Sequence, residues 1–330
     1  MSEITEVRAS YAESVNRALR RCLDEDPTTL LFGEDVGLPG GVFGVTKGLK
    51  NTFGDRVFDT PISESAILGG AVGAALVGRR PIVEIMWVDF SLVALDQLVN
   101  QAANVRYVSR GRLTAPITVR TQQGAGPGAC AQHSQSLEAL FAHIPGLRVC
   151  MPATHQDAYD LLLSSVACDD PVIVIENRNL YHGAKEMLTI GGPVAPIGGA
   201  VTRRPGRDLT VATWGSIQTS VIEAAESLAE EGISVEVLDM RWMRPLDVAA
   251  VAESAGRTGA LLVVHEAHQF GGLGAELVAS VVESGVQLRR PPARVATPDA
   301  RIPAAPSLLA AVIPTVDRIR DAMLSLGRRT

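Results

Sequence analysis

The stretch DTPISESAILGGAVGAALVG, residues 59–78, joins a short strand to a helix built largely from small residues. Pro61 cannot donate a backbone hydrogen bond and Ser63 is a good helix N-cap, so a turn should precede a helix from Glu64 to about Leu76. A glycine inside a helix costs about 1 kcal/mol relative to alanine. A helix with several glycines therefore predicts close approach of another helix.

Glu64 is the one acidic residue of that helix, and two interpretations of it stay open. A first-turn carboxylate interacts favourably with the helix dipole, which would describe an ordinary buried helix. The alternative is a carboxylate placed for proton chemistry at the mouth of a closely packed interface. The residues around it are needed to choose between the two.

Strands and helices alternate on both sides of this stretch. Apolar runs typical of buried strands are followed by segments with helical periodicity, and this pattern predicts parallel sheets joined by right-handed crossovers. The predicted strands of the first half are residues 29–32, 57–59, 81–86, 117–120, 147–151 and 172–175. Glycines and prolines are frequent in residues 178–208, which indicates a linker, and a second alternating set begins at residue 209. The fold class is therefore α/β with two parallel-sheet domains.

Composition excludes several classes of function. The net charge of −6 argues against a nucleic-acid surface, and no apolar run is long enough to span a bilayer. The first six residues carry acidic side chains and no apolar segment, which predicts no signal peptide. The four cysteines lack the spacing of a metal or redox site, so a reducing, cytoplasmic location is expected.

His133 follows a glycine-rich loop that a predicted strand delivers. Parallel sheets place reacting groups at the ends of their strands, and imidazole is suited to proton transfer near neutral pH. A loop histidine bonded to the backbone is the equal alternative. His265 and His268, three residues apart, could bind a metal, but a strand-end turn at a contact is favoured. The glycines at 271, 272 and 274 lack the full dinucleotide fingerprint and predict a tight turn.

Taken together, five motifs in this order resemble the beta subunits of the thiamine-diphosphate-dependent 2-oxo acid dehydrogenases. These are the decarboxylating components of pyruvate, branched-chain and acetoin dehydrogenase complexes. The motifs are FGEDVG (residues 32–37), DTPISE (59–64), AQHSQS (131–136), RWMRPLD (241–247) and HEA (265–267). They span nearly the whole chain.

The resemblance implies a pyrimidine-binding, transketolase-like domain at residues 1–190, a linker at 191–208 and a transketolase C-terminal-type domain at 209–330. It also implies roles for particular residues. Glu64 would hydrogen-bond the aminopyrimidine of thiamine diphosphate and help to generate the reactive ylide, while Ile62, Met86 and Phe90 would pack against the ring. His133 would serve proton transfer or orientation during acyl transfer to lipoamide.

The resemblance further implies partners and metals. An alpha subunit would complete an α2β2 heterotetramer, share the cofactor and hold its Mg2+, because no Gly-Asp-Gly motif occurs in this chain. A lipoyl-bearing acyltransferase core would accept the acyl group. A structural K+ ion would be held by backbone carbonyls of five residues: Ile117, Ser165, Val166, Cys168 and Asp170.

The expected function is thus oxidative decarboxylation of a 2-oxo acid, pyruvate or a branched-chain acid, with acyl transfer to lipoamide. Three alternatives stay open: an acetoin dehydrogenase beta subunit, another transketolase-like enzyme, and a non-catalytic assembly subunit. The sequence does not choose between the substrates, because much of the acyl pocket is expected to come from the partner chain.

Overall fold

The computed structural model describes residues 4–327. The chain divides into two compact units: the first runs to Gln123 and resumes over Leu140–Ile197, and the second comprises Gly124–Ala139 and the chain from Gly198 onward. Residues 1–3 and 328–330 lie outside the described part. They include the ends of the two predicted domains and the start of the acidic N-terminal stretch.

The first unit contains a parallel sheet. The strands of this unit are β1 (Thr5–Ala9), β2 (Thr29–Gly33), β3 (Val57–Asp59), β4 (Arg80–Ile85), β5 (Thr118–Gln123), β6 (Arg148–Cys150), β7 (Val172–Asn177) and β8 (Glu186–Ile190). Six of them lie side by side in the order β6-β7-β5-β4-β2-β3, and every neighbouring pair is parallel. The predicted parallel α/β architecture is confirmed. β1 and β8, which the sequence did not signal, form a separate antiparallel pair.

The α-helices up to residue 167 connect these strands. They are α1 (Tyr11–Glu25), α2 (Leu49–Phe53), α3 (Glu64–Leu76), α4 (Val105–Val108), α5 (Glu138–His143) and α6 (His155–Ala167). Short 3-10 helices occupy Gly54–Arg56, Val88–Ala94, Ala102–Asn104 and Arg178–Leu180.

Helix α3 has the predicted bounds but differs in two details. Ser63 stands at the N-cap position, yet its side chain makes no capping hydrogen bond, so the predicted cap is wrong. A Cβ added at Gly70 or Gly73 would meet no heavy atom within 4 Å. A Cβ at Gly69 would lie 3.6 Å from the Gln97 side chain, so among residues 4–327 only the part of the small face at Gly70 and Gly73 has no close neighbour.

Residues 93–107, whose apolar side chains recur with helical periodicity, form several short helical pieces rather than one helix. A π-helical turn occupies Gln97–Gln101, where the Ala102 N–H donates toward the carbonyls of both Gln97 and Leu98. The wide turn brings Leu98 and Ala103, five residues apart, onto one buried side. Packing therefore changes the helical period that the sequence alone suggests.

The second unit carries its own sheet. The strands after residue 198 are β9 (Val201–Arg204), β10 (Leu209–Thr213), β11 (Val235–Asp239), β12 (Trp242–Arg244), β13 (Leu261–His268) and β14 (Ala293–Thr297). Five of them form a sheet in the order β14-β13-β10-β11-β9, which is parallel except for the β11–β9 pair. The helices are α7 (Ile217–Ala229), α8 (Val248–Thr258), α9 (Leu273–Glu283), α10 (Pro306–Val312) and α11 (Val316–Gly327).

The core of the second unit is aliphatic, as the low aromatic content predicts. Side chains from β10, β11 and β13 are packed against one face of α7 and of the closing helix α11, where Ile319 and Met323 are fully buried. Between residues 4 and 327, no helix combines the length and apolar character that a membrane crossing requires.

Candidate functional site

The order of strands in the first unit defines a crevice. β3 and β4 lie on opposite sides of β2, so the direction of strand addition reverses between β2 and β4. Open α/β sheets bind ligands outside the carboxyl ends of the strands at such a reversal. Glu34 and Asp35 directly follow β2, and Met86 directly follows β4. This crevice is the candidate site of the first unit.

Pairing of β2 with β3 brings two of the sequence motifs together. Gly33 is opposite Asp59 in the parallel register, and the Thr60 N–H donates to the Gly33 carbonyl over 3.0 Å. The FGEDVG and DTPISE motifs therefore lie side by side. The turn after β3 then leads into α3, whose first residue is the half-buried Glu64.

The environment of Glu34 in this crevice favours its protonated form. Burial raises the pKa of Glu34, and the negative charges of Glu64 and Asp35 raise it further. Like charges in a partly desolvated site favour binding of a proton or of a hydrogen-bond donor. The crevice therefore suits a ligand that presents a hydrogen-bond donor to a carboxyl group.

The three predicted ring-packing residues lie close in sequence to the same strand ends. Ile62 is 82% exposed, so its side chain is open to a ligand or to a partner. Met86 follows β4, and Phe90 lies in the 3-10 helix that continues from it; both are half-buried. The Ser65 hydroxyl donates to the Val93 carbonyl over 2.7 Å, which ties α3 to this helix.

His133 is placed differently from Glu64. It lies in the segment Gly124–Ala139, which belongs to the second unit, and its side chain is half-buried. The Ala125 N–H at one end of the segment donates to Glu266 over 2.6 Å, and the Gly128 N–H donates to the Ala304 carbonyl over 3.1 Å. The two predicted catalytic residues therefore belong to different compact units.

The carbonyls proposed to hold K+ already accept hydrogen bonds. The Arg80 guanidinium donates through one nitrogen to the carbonyls of Val166 and Cys168, over 2.6 and 2.8 Å. The Ile117 carbonyl accepts from the Val172 N–H, and the Ser165 carbonyl accepts from the Cys168 N–H. A carbonyl oxygen has two lone pairs, so these atoms retain acceptor capacity beside the guanidinium charge. Across the described residues, no group of three or more His, Cys, Asp or Glu side chains could hold a metal.

A buried ionic network lies below the crevice, and the sequence reasoning missed it. The Arg120 guanidinium on β5 donates one hydrogen bond to Glu84 on β4 over 2.5 Å. It also donates to both carboxylate oxygens of Glu176 on β7, over 2.7 and 2.8 Å. The Tyr181 hydroxyl donates to Glu176 over 2.5 Å. Burial raises the pKa of Glu84, and Arg120 opposes that effect. The signal available in the sequence was a charged residue in each of three neighbouring apolar strands, with one positive and two negative charges.

The HEA motif lies at the end of β13, whose last residue is His268, so the expected strand end is confirmed, and the contact proposed for it stays a prediction. The His265 ring is buried and stacks on Trp214 with 5.0 Å between centroids and 8° between planes. His268, three residues on, has a different neighbour, because its Nε2 lies 3.0 Å from the Ala300 carbonyl. The two rings are therefore not arranged to share a metal.

The turn after β13 is tight, as the glycines predict. A Cβ at Gly272 would lie 2.7 Å from the His265 ring, and a Cβ at Gly274 would lie 2.6 Å from it. Glycine is required at both positions because the start of α9 runs directly over the imidazole. This close approach explains the Gly-Gly-Leu-Gly run without a dinucleotide.

Comparison with known proteins agrees with this architecture. Residues 8–183 match the transketolase pyrimidine-binding domain family, and residues 198–319 match the transketolase C-terminal domain family. A solved structure named as a split-gene transketolase, inactive beta4 tetramer, superposes with a TM-score of 0.79 over 97% of this chain and 99% of that one, at 22% identity. That likeness concerns the fold.

Curated relatives match over nearly their whole length. The chain is 40% identical to the beta subunit of acetoin:2,6-dichlorophenolindophenol oxidoreductase of Cupriavidus necator, with 96% of each chain covered. It is 40% identical to the 2-oxoisovalerate dehydrogenase beta subunit of Bacillus subtilis, with 96% of this chain and 98% of the relative covered. It is 40% identical to the pyruvate dehydrogenase E1 beta subunit of Staphylococcus aureus, with 92% of each covered.

The two transketolase-type domains, the mostly parallel sheets and full-length relatives with these names confirm the resemblance that the five motifs indicate. The chain belongs to the family of 2-oxo acid dehydrogenase E1 beta subunits, oxidoreductase components of the thiamine-diphosphate-dependent transketolase type.

Proposed function

We propose that this chain supplies the pyrimidine half of a thiamine diphosphate site shared with an alpha subunit, in an enzyme that oxidatively decarboxylates a 2-oxo acid. The observation that carries the proposal is the crevice at the reversal point of the first sheet. There the Glu64 carboxylate stands near Glu34, whose pKa is raised, beside the exposed Ile62. A carboxylate in an apolar slot is what an aminopyrimidine ring requires.

Glu64 would hydrogen-bond a ring nitrogen of the cofactor and hold or release a proton there. Ile62, Met86 and Phe90 would pack against the ring and exclude water from it. Bound thiamine diphosphate supplies the nucleophilic carbon and stabilises the negative charge left when carbon dioxide departs. The chain's own contribution is therefore placement of the ring and control of one proton.

His133 would act in the later acyl transfer. When the disulfide of a lipoyl dithiolane opens, one sulfur receives the acyl group and the other leaves as a thiolate. The imidazolium of His133 would give that sulfur its proton, or orient the dithiolane. The anchored Gly124–Ala139 segment, which carries His133 within the second unit, supports an assignment to a positioned group.

The diphosphate half of the site belongs to the proposed partner. The sequence contains no Gly-Asp-Gly motif, and the described residues offer no carboxylate or imidazole cluster for a divalent cation. An alpha subunit would hold Mg2+ with the diphosphate, and the small face of α3 around Gly70 and Gly73 is open for close packing of another chain. We propose an α2β2 heterotetramer that delivers its acyl group to a lipoyl-bearing acyltransferase core in the cytoplasm.

We also propose a structural K+ ion at the carbonyls of Ile117, Ser165, Val166, Cys168 and Asp170, and the domain division 1–190, 191–208 and 209–330. Carbonyl acceptor capacity supports the ion, although Arg80 already contacts two of the oxygens. Thermal unfolding in K+ and in choline buffers tests the site. Stabilisation by K+ alone supports it, and equal stability in both buffers contradicts it.

The substrate is tested by the steady-state rate at which the co-expressed alpha and beta chains reduce an electron acceptor, because acetoin has no carboxyl group to lose. Pyruvate, branched-chain 2-oxo acids and acetoin are offered in parallel, with an artificial electron acceptor. Preference for a 2-oxo acid supports the main proposal. The Cupriavidus necator relative, 40% identical and named for acetoin, favours acetoin cleavage as the second candidate, which preference for acetoin would establish.

A further inference from the structure

The segment that carries His133 is fastened at both ends within the second unit. At its start, the Ala125 N–H donates to a carboxylate oxygen of Glu266 over 2.6 Å. At its end, the Trp214 Nε1–H donates to a carboxylate oxygen of Glu138 over 3.1 Å. Eight residues separate Ala125 from His133 and five separate His133 from Glu138, so the imidazole lies within a short closed loop.

Both anchors come from the reversal point of the second sheet. β11 and β13 lie on opposite sides of β10, so this sheet reverses its direction between β10 and β13. Trp214 directly follows β10, and Glu266 is within β13. Open α/β sheets receive ligands at this position. In this chain the two anchors there bind a segment of the chain itself.

The Trp214 anchor is rigid. Its indole is 2% exposed, and Glu138 and His265 are fully buried. The indole is parallel to the His265 imidazole, and Gly272 and Gly274 approach that imidazole so closely that a Cβ on either would lie within 2.7 Å of it. Rotation of the indole would require the imidazole and the start of α9 to move, so packing fixes the direction of its N–H.

The Glu266 anchor is a hydrogen bond from a backbone amide to a carboxylate. Such bonds are shorter and about twice as strong as those between neutral groups. The Glu266 carbonyl also accepts from the Thr297 hydroxyl over 2.6 Å, which ties β13 to β14 at the same residue. The backbone of Glu266 is therefore fixed within the sheet, and its carboxylate accepts the hydrogen bond from the His133 segment.

We propose that Glu266 and the Trp214–Glu138 pair are positioning residues that hold the His133 segment in the conformation acyl transfer requires. The inference rests on the proposed function of His133. Reacting groups must be held close to their productive geometry, and a displacement of about 1 Å can cost about 100-fold in rate. Glu266, by this account, acts through the Ala125 backbone rather than by touching the substrate.

Hydrogen–deuterium exchange on the full-length purified chain tests the anchoring directly and needs no activity. In Glu266→Ala, amides of Gly124–Ala139 should exchange at least about tenfold faster than in the wild type. Glu266→Gln retains an oxygen acceptor and should exchange nearly as the wild type does. Glu283→Ala, an exposed glutamate at the end of α9, is the matched control. Trp214→Phe keeps the ring stack but loses the N–H, and should loosen the Glu138 end.

Two rates measured with the co-expressed alpha chain test the functional part. Glu266→Ala should lower acyl transfer to lipoamide about tenfold while decarboxylation with an artificial acceptor stays within about twofold, and Glu266→Gln should restore acyl transfer. Unchanged exchange in Glu266→Ala overturns the anchoring. If Glu266→Ala exchanges faster but loses acyl transfer and decarboxylation equally, or loses neither, the positioning role is overturned. A wild-type pair that decarboxylates no substrate overturns the proposed function and the acyl-transfer role, while exchange still measures the anchoring.

Discussion

The crevice around Glu64 and the segment around His133 are built in opposite ways. Around Glu64, Ile62 is 82% exposed and Gly70 meets only open space. Around His133, both ends of the segment are bonded to buried or half-buried side chains of the same unit. The His133 segment is thus bonded within its own unit, whereas residues near Glu64 are exposed. This is the difference that the proposed shared site predicts, because another molecule would cover the crevice of the first sheet.

Loss of the Glu64 carboxyl group should have the largest effect. Glu64→Gln keeps the shape of the side chain but cannot exchange a proton with the ring, so decarboxylation by the assembled pair should fall by about 100-fold or more. Assembly should stay near that of the wild type. Glu223→Gln, on the exposed side of α7, is the control. Activity within a few-fold of the wild type would remove Glu64 from the mechanism.

The burial of His265 beside Trp214 should make the free energy of unfolding depend on pH. Burial, aided by the positive charge of Arg294, lowers the pKa of His265 from 6.5 to about 4. The unfolded chain takes up this proton near pH 6.5 and the folded chain near pH 4, so stability falls as the pH falls through that window. One pH unit corresponds to about 1.4 kcal/mol, which gives about 3 kcal/mol in total.

Urea unfolding at several pH values measures this effect. His265→Phe keeps an aromatic stack and does not titrate. Its free energy of unfolding should therefore fall less steeply than that of the wild type as the pH is lowered from 6.5 to 4. His268→Gln, which replaces a half-buried histidine of the same strand, should retain the wild-type slope. Parallel profiles for the wild type and His265→Phe would show that this buried imidazole titrates normally.

Replacement of His133 should separate two rates. His133→Ala should lower acyl transfer to lipoamide about tenfold more than decarboxylation measured with an artificial acceptor, because its proton is needed only when the dithiolane opens. His182→Ala, at an exposed histidine, should change neither rate. Equal losses in both assays would assign His133 to cofactor placement or to loop folding instead.

The smallest effect concerns the open face of α3. Gly70→Ala places a Cβ in free space and should stabilise the isolated chain by about 0.5–1 kcal/mol. The same methyl should weaken co-purification of the alpha chain if two chains pack closely there. Gly256→Ala, at an exposed glycine inside α8, should stabilise the chain without affecting assembly. Undiminished assembly of Gly70→Ala would place the partner on another surface.

The sequence predicted the alternating architecture because buried parallel strands are apolar runs of recognisable length. It also predicted the bounds of α3, but not that the motifs after β2 and β3 lie side by side. It missed β1 and β8, whose mixed polar residues lack a buried pattern, and it missed the π-turn, which packing imposes. The anchoring of His133 was beyond prediction because Glu138, Trp214 and Glu266 are distant in sequence and meet only when the sheet forms.

Calorimetric titration of the purified, partner-free chain with magnesium and thiamine diphosphate tests the central claim most directly. The proposal that the first crevice is half of a shared site predicts negligible heat of binding and no turnover. Addition of the alpha subunit should create binding and turnover together. Tight, magnesium-dependent binding to the chain alone would contradict the shared site and favour a transketolase-like enzyme that holds the whole cofactor.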